Sequence, residues 1–214
     1  MKTIKVVDND KIGAELIEII QEAYDNSKDE LFYVGLSGGS LPPVLVEALK
    51  QLKNINWKKW LFFFCDERCV NSSSPESTFG TFRRLLEPID ERLPLSLNQF
   101  ITIDPALKSS KVAEDYLSKI RQRFEGTSLP KFHILFLGLG PDGHTCSLFP
   151  GHRLLKVSKS HSSDSYLLLL LLNLRVTLTS QILILNNHRN LRRRLQNGLP
   201  TLLTRPSHHL KESP

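Results

Sequence analysis

The sequence predicts a single α/β domain in which a Rossmann-like, mostly parallel sheet is covered by helices on both faces. Over the first 140 residues, short apolar runs alternate with amphipathic helical patterns, and repeated β-α-β units of this kind fold as parallel sheets. The run at 60–65 (WLFFFC) is continuously apolar, which is typical of a strand buried on both faces. A chain of 214 residues accommodates one such domain.

The individual elements follow from the spacing of apolar residues. Four runs are predicted as strands, at residues 4–7, 32–36, 60–65 and 132–137. Four segments have helical periodicity, at about residues 12–23, 42–51, 77–86 and 110–124. We expect Asp8 or Asp10 to cap the first helix and Ser110 to cap the last, and Pro42 suits a first helical turn.

Three unusual segments each follow a predicted strand directly: SGGS at 37–40, DER at 66–68 and GLGPDGH at 138–144. In an open parallel sheet, ligands bind beyond the carboxyl ends of the strands. Segments that leave the same edge of the sheet therefore lie close together. The sequence thus predicts one shared ligand site built from these three loops.

The first loop, made of Ser37, Gly38, Gly39 and Ser40, has the composition of an anion-binding turn. Glycines allow consecutive N–H groups to converge, and the N-terminus of the following helix adds positive potential. A phosphate is therefore the predicted occupant. A tight turn that binds nothing is the simpler alternative.

The same segment, taken as GLSGG, also matches the G-x-S-x-G nucleophile elbow of serine esterases. Ser37, Asp66 and His144 would then form a triad in the α/β-hydrolase order. We disfavour this interpretation because the elbow normally follows several strands, whereas here it follows about the second. No HGGG-type oxyanion loop precedes it either.

The second and third loops carry charged and titratable groups. Arg68 can bind a phosphate or a carboxylate through two parallel hydrogen bonds, and Asp66 can orient a base or hold a sugar hydroxyl. An Asp66–Arg68 pair that only secures the loop is the alternative. His144, in a turn rich in proline and glycine and next to Asp142, has the arrangement of a general base, although a lone histidine is more often structural.

The third loop also contains G-x-G-x-x-G, a fingerprint of dinucleotide sites that requires a long helix starting at the third glycine. Pro150 and Gly151 follow Gly143 within eight residues, so any helix there is very short and we expect no nicotinamide or flavin cofactor. We expect no metal either, because the histidines before residue 160 lack the spacing of a zinc motif.

Composition argues against several classes of protein. The three cysteines have no C-x-x-C spacing and do not make a disulfide framework, which suits a reducing cytosol. The first residues, MKTIKVVDNDKIG, lack the apolar region of a signal peptide, and the leucine run at 167–172 is too short to span a bilayer. We therefore expect a cytoplasmic monomer with no membrane partner.

The net charge of +6 is concentrated late in the chain. Residues 161–214 carry seven basic and two acidic side chains. No aromatic residues are interleaved with the arginines of 189–194, as nucleic-acid stacking would require. The excess charge therefore predicts a solvated, poorly ordered basic tail and no nucleic-acid partner.

Together these segments resemble the 6-phosphogluconolactonase family. The similarity spans about residues 30–155, and the matching stretches are GLSGGS (35–40), FCDERCVNSSSPESTFGTFRRLL (64–86), ITIDP (101–105) and FHILFLGLGPDGHTCSLFPGHRLL (132–155), with a fainter match in RVTLT (175–179). The related glucosamine-6-phosphate deaminases share the first loop and the D-G-H turn on the same Rossmann-like sheet. They have a glutamate where this chain has Phe149, and a D-E-Y motif where this chain has Arg68 in the third position. Both differences favour the lactonase.

The resemblance implies hydrolysis of a phosphorylated sugar lactone, 6-phospho-D-glucono-1,5-lactone, to 6-phospho-D-gluconate in the oxidative pentose phosphate pathway, without metal or organic cofactor. In the implied mechanism His144 activates water, while Asp142 and Asp66 steady the base or the sugar. The phosphate is implied to be held by two arginines and by the amides of the first loop, namely Arg68, Arg175, Gly38, Gly39 and Ser40.

The end of the chain departs from the family pattern. After RVTLT the family has a further strand and a G-x-x-K loop, whereas this chain continues SQILILNNHRN and has no such lysine. We expect residues 1–185 to form the lactonase-like domain and 186–214 to form the basic tail. Loss of a closing strand is expected to expose a sheet edge. A weakly active or inactive sugar-phosphate-binding homologue is therefore the alternative function.

Overall fold

Five parallel strands carry the fold in the part of the chain that the structure describes. The computed structural model describes residues 9–87, 90–124, 130–138, 140 and 142–152, together with the backbone of 181–185. The strands are β1 (Phe32–Leu36), β2 (Trp60–Phe64), β3 (Phe100–Ile101), β4 (Ile134–Gly138) and β5 (Gln181–Leu185). They pair in the order β3-β2-β1-β4-β5, and every pair is parallel. The predicted Rossmann-like sheet is confirmed.

The strand order changes direction between β1 and β4. From β1 the chain moves outward to β2 and β3, and then returns to place β4 on the other side of β1. In doubly wound sheets this switch point leaves a crevice at the carboxyl ends of the two central strands, which is where ligands bind. Here Val34 lies opposite Ile134 in the register of these strands. The loops after β1 and β4 therefore leave the sheet side by side.

Four helices connect or flank these strands within the described ranges. They are α1 (Ile12–Asn26), α2 (Leu41–Leu49), α3 (Thr78–Leu86) and α4 (Ser109–Arg123). Pro42 lies in the first turn of α2, as predicted. No helix in these ranges is both long and apolar enough to cross a membrane.

The predicted helix caps are wrong at two positions. Asp10 lies inside a short 3-10 turn, and Lys11 occupies the N-cap of α1 without a side-chain bond. The carbonyl of Lys108 accepts the N–H groups of the first turn of α4, which places Ser110 inside the helix instead of at its cap. Asp8 and the strand predicted at 4–7 lie outside the described residues.

Successive side chains of a strand point to opposite faces of the sheet, so the core forms two layers. On one face, Phe32, Val34 and Leu36 of β1 pack with α1, α2 and α3. On the other face, Phe63 of β2 and Leu135 of β4 pack with α4. The apolar stripes predicted for α1 and α4 lie in these layers, which confirms the helix cover on both faces.

The α4 layer also fixes the carboxyl end of β2. The buried Tyr116 hydroxyl accepts the Phe64 N–H at 2.7 Å and donates to the Phe64 carbonyl at 3.2 Å. Burial raises the pKa of the Tyr116 phenol, so the group stays neutral and can both donate and accept. The backbone just before the second loop is thereby held in place.

His133 has a structural role at the amino ends of the strands. Its Nδ1 accepts the Tyr33 N–H at 2.9 Å, so Nε2 carries the proton and donates to Asp29 Oδ2 at 2.7 Å. Both ring nitrogens are therefore engaged. This histidine lies at the opposite end of the sheet from the three loops.

The expected loss of a closing strand is wrong. Residues Gln181–Leu185 form β5, which pairs with the whole length of β4 from Ile134 to Gly138. The sequence of β5, QILIL, has four apolar residues out of five. The edge of β4 is therefore paired. The tail predicted at 186–214 lies outside the described residues.

Candidate functional site

Two hydrogen bonds join the three predicted loops at the carboxyl ends of β1, β2 and β4. The Gly138 N–H donates to Ser37 Oγ at 2.9 Å, which connects the first loop to the third. The Ser147 hydroxyl donates to Asp66 Oδ2 at 2.9 Å, which connects the second loop to the turn after the third. The structure therefore brings the three segments together around the crevice between β1 and β4.

Ser37 is buried instead of being presented as a nucleophile. Only 2% of its surface is exposed, and its hydroxyl oxygen accepts the Gly138 N–H. A nucleophile elbow needs an exposed hydroxyl on a strained turn. Among the described non-glycine residues, positive φ angles occur only at Asn54 and Cys146. This geometry disfavours the serine-esterase hypothesis, and Ser37 instead sets the spacing between the first and third loops.

The backbone of Gly38, Gly39 and Ser40 offers hydrogen-bond donors to a ligand. Within the described ranges, no hydrogen bond uses the N–H groups of these three residues. A side chain at Gly38 would lie 2.8 Å from Thr78 Oγ1 at the start of α3, so the close approach of loop and helix requires glycine. The first turn of α2 contains two prolines, which lack an N–H. These two positions offer no N–H donor, which leaves the amides of Gly38, Gly39 and Ser40 as unpaired donors at this loop.

Asp66 is a buried carboxylate with one free oxygen. The residue is 8% exposed, and Oδ2 accepts the Ser147 hydroxyl, while Oδ1 has no hydrogen-bond partner among the described residues. Burial raises the pKa of Asp66, and the Ser147 bond and the positive charge of Arg68 oppose that rise. The positive charge of a protonated His144 also lowers this pKa, so the imidazole and this carboxylate interact electrostatically.

Glu67 holds the start of α3. Its Oε1 accepts the Thr78 N–H at 2.7 Å and the Arg68 N–H at 2.8 Å, and its Oε2 accepts the Phe79 N–H at 2.7 Å. A carboxylate at a helix N-terminus satisfies donors that the helix leaves unpaired and complements its dipole. Glu67 is therefore structural, and it fixes the backbone of Arg68.

Replacement of Glu67 by alanine is expected to lower the free energy of unfolding by about 1–3 kcal/mol, because three N–H groups lose a charged acceptor. Urea unfolding measures this change. Glu76→Ala is the matched control, since Glu76 is an exposed glutamate in the same loop. Equal stability of the two variants would show that the capping bonds contribute nothing.

The Arg68 side chain projects from the second loop. Arg68 is exposed, and no hydrogen bond or ion pair within the described ranges engages its guanidinium group. The second loop is thus not secured by an Asp66–Arg68 ion pair. An exposed guanidinium without a partner among the described residues can bind an anion through two parallel hydrogen bonds. Arg175, the other predicted phosphate ligand, lies outside the described residues.

His144 and Asp142 form the pair that the sequence predicts. His144 Nδ1 lies 2.5 Å from Asp142 Oδ1, and the His144 N–H donates to the same oxygen at 3.3 Å. The carboxylate fixes the proton on Nδ1, so Nε2 carries the lone pair. The hydrogen bond from His144 lowers the pKa of Asp142, which keeps it ionised. Nε2 has no hydrogen-bond partner among the described residues.

The His144 ring is positioned by two neighbours in its own loop. A Cβ on Gly140 would lie 2.0 Å from Cε1 and 2.2 Å from Nδ1, so the imidazole occupies the space that a side chain would need. The Phe149 ring lies 4.6 Å from the imidazole, centroid to centroid, and Phe149 is 50% exposed.

The dinucleotide fingerprint in the third loop lacks the helix that it requires. No helix follows Gly143 within residues 142–152.

Comparison with known proteins decides the family. Residues 8–190 match the family described as glucosamine-6-phosphate isomerases/6-phosphogluconolactonase. The chain belongs to this family. The predicted resemblance is thereby confirmed, and the fold agrees with solved members. The 6-phosphogluconolactonase of Thermotoga maritima superimposes with a TM-score of 0.59 at 27% identity, over 75% of this chain and 69% of that one.

Curated relatives of this family member are named 6-phosphogluconolactonase. The rat protein is 42% identical over 153 residues, which cover 68% of this chain and 58% of the rat protein. The human protein is 47% identical over 129 residues, which cover 58% of this chain and 49% of the human protein. The chain therefore spans between about half and three fifths of the length of these relatives.

The sequence analysis assigns no role to three residues at the site of this family member, Glu67, Ser147 and Phe149. Glu67 caps a helix that begins eleven residues later, and Ser147 bonds to a residue 81 positions away. No local pattern marks such contacts. Phe149 follows His144 by five residues in the same turn, and this short separation is the local signal that places its ring near the imidazole.

Proposed function

We propose that the protein hydrolyses 6-phospho-D-glucono-1,5-lactone to 6-phospho-D-gluconate. The observation that carries this proposal is the His144–Asp142 pair, which leaves Nε2 of the imidazole open to a water molecule. The names of the curated relatives supply the substrate class. A lactone is an activated ester, so a positioned base is sufficient to open it.

In the proposed reaction, His144 Nε2 takes a proton from water as the water oxygen attacks the lactone carbonyl carbon. The tetrahedral intermediate then collapses, the bond from this carbon to the ring oxygen breaks, and the imidazolium returns the proton to that oxygen. The product is the open-chain acid. Asp142 holds the imidazole in the required tautomer, and the negative charge of Asp66 favours the transient imidazolium.

Phosphate binding supplies the orientation of the substrate. Arg68 and the amides of Gly38, Gly39 and Ser40 are the proposed ligands, and Arg175 is proposed to join them. A phosphate held by several donors fixes the distant lactone carbonyl near His144, and this restriction of motion lowers the barrier.

The direct test is the rate of lactone opening by the purified chain at neutral pH, measured as proton release above the background in buffer. A clear excess rate is expected.

A fluorophosphonate probe tests the serine-esterase alternative. The probe is expected to leave Ser37 unlabelled, because the serine is buried. A rate no higher than buffer would refute hydrolysis, and labelling of Ser37 that disappears in Ser37→Ala would support the esterase instead.

Replacement of Arg68 by alanine is expected to lower kcat/KM for the phosphorylated lactone by about ten- to a hundredfold, mainly through KM, because a charge-assisted bond of roughly 1.5–3 kcal/mol is lost. The reaction with unphosphorylated gluconolactone is expected to change little. Arg121→Ala is the control, since Arg121 is an exposed arginine in the last turn of α4. Equal losses with both substrates would mean that Arg68 does not bind the phosphate.

A further inference from the structure

We propose that Ser147 is a positioning residue of the candidate site, which acts on the reaction by orienting Asp66. The inference rests on the proposed lactone hydrolysis. Its geometric basis is the 2.9 Å hydrogen bond from the Ser147 hydroxyl to Asp66 Oδ2, which joins the turn after His144 to the loop after β2.

The turn that carries Ser147 is built to present this hydroxyl. Thr145 and Leu148 exchange backbone hydrogen bonds of 2.9 and 3.3 Å, which close a tight turn around Cys146 and Ser147. Cys146 adopts a φ of 52°, a conformation that non-glycine residues rarely take. Leu148 is buried and anchors the turn in the core. The backbone therefore holds Ser147 in one orientation towards Asp66.

The Ser147 bond determines which Asp66 oxygen is left free. Within the described ranges it is the one hydrogen bond to this carboxylate, and it engages Oδ2, so Oδ1 remains unpaired. A carboxylate without this bond could rotate about its last torsion, because neither oxygen would be held. Ser147 thus presents Oδ1 in a fixed direction.

The same bond favours the charged form of Asp66. Burial raises the pKa of Asp66, and so does the negative charge of Glu67. The positive charges of Arg68 and of a protonated His144 lower this pKa. Donation from Ser147 lowers it as well. A hydroxyl donor stabilises a carboxylate more than a neutral carboxyl group. Ser147 therefore keeps Asp66 ionised at lower pH than burial alone would allow.

Ser147→Ala is the variant that tests this role. Loss of the donor leaves neither Asp66 oxygen held by a hydrogen bond from the described residues, so Oδ1 no longer points in one fixed direction, and the pKa of Asp66 rises further. At neutral pH, kcat is expected to fall on the order of tenfold while KM changes little. Ser147→Thr, which retains the hydroxyl, is expected to recover most of the rate.

Two controls separate positioning from a general effect on folding. Ser73→Ala removes a hydroxyl that bonds to Asn71 in the loop after β2, and its kcat is expected to match that of the parent protein. In an Asp66→Asn background, Ser147→Ala is expected to have little further effect, because residues that act through one another are not additive. An unchanged kcat in Ser147→Ala, no recovery of rate in Ser147→Thr, or a full additional loss in the double variant would overturn the proposal.

A stability measurement tests the bond without any activity. A charge-assisted bond is stronger than a neutral one, so the loss of unfolding free energy in Ser147→Ala is expected to grow as pH rises through the pKa of Asp66. The Ser147→Thr variant is expected to show a smaller loss. Failure of lactone hydrolysis with this pH dependence intact would refute the proposed function alone. A loss independent of pH would refute the Ser147–Asp66 interaction itself.

Discussion

Replacement of His144 by alanine is expected to lower kcat/KM for the phosphorylated lactone on the order of 10²-fold or more, because a positioned general base contributes at least that factor. The loss is expected in kcat, since the phosphate ligands of the substrate are untouched. His144 Nδ1 bonds to Asp142 in the same turn, and Nε2 has no hydrogen-bond partner in the described ranges. Within those ranges, the imidazole therefore makes no hydrogen bond to another part of the fold. Steady-state kinetics above the buffer background measures the change.

The matched control for His144 is His133→Ala. Both histidines lie beside an aspartate, but His133 uses both ring nitrogens in hydrogen bonds and lies at the opposite end of the sheet. Its removal leaves the part-buried Tyr33 N–H without an acceptor, so about 1–3 kcal/mol of stability is expected to be lost. The kcat of the folded variant is expected to stay unchanged. Full activity of His144→Ala would assign His144 to structure and remove the base from the proposed mechanism.

Gly140→Ala is expected to reduce kcat nearly as strongly as removal of His144, although the substitution adds a single methyl group. That methyl would lie 2.0 Å from Cε1 and 2.7 Å from Nε2 of the imidazole, far inside van der Waals contact. The ring must move, and a displacement of about 1 Å in a reacting group costs on the order of 10²-fold in rate. Among the described glycines, positive φ angles occur at Gly39, Gly143 and Gly151, so the backbone of Gly140 accepts alanine and only the clash is tested.

Gly13→Ala is the control for this substitution. Gly13 lies in α1 with nothing within 4 Å of an added Cβ, so the change is expected to stabilise the helix by up to about 1 kcal/mol and to leave the rate unchanged. Melting curves and kinetics on both variants separate stability from catalysis. An active Gly140→Ala protein would show that the ring position in this structure is not the one required for the reaction.

Local signals explain the site residues that could be predicted. The loops at 37–40, 66–68 and 138–144 each follow a strand directly, so apolar periodicity and turn residues locate them without knowledge of the fold. The His144–Asp142 pair spans two residues, a separation at which one turn sets the geometry. The contacts of Glu67 and Ser147 join residues distant in sequence, and no periodicity encodes which distant partner a side chain will meet.

The sequence by itself determined the class of fold and the identity of the loops, because burial periodicity and the backbone preferences of glycine and proline act over neighbouring residues. Only the tertiary structure decided the strand order, which puts the switch point between β1 and β4 and pairs β5 with the edge expected to be exposed. Only the structure decided that Ser37 is buried under Gly138, and that Asp66 keeps a single donor. Those outcomes depend on how distant segments share space in one core, where each contact is settled by packing against all of the others.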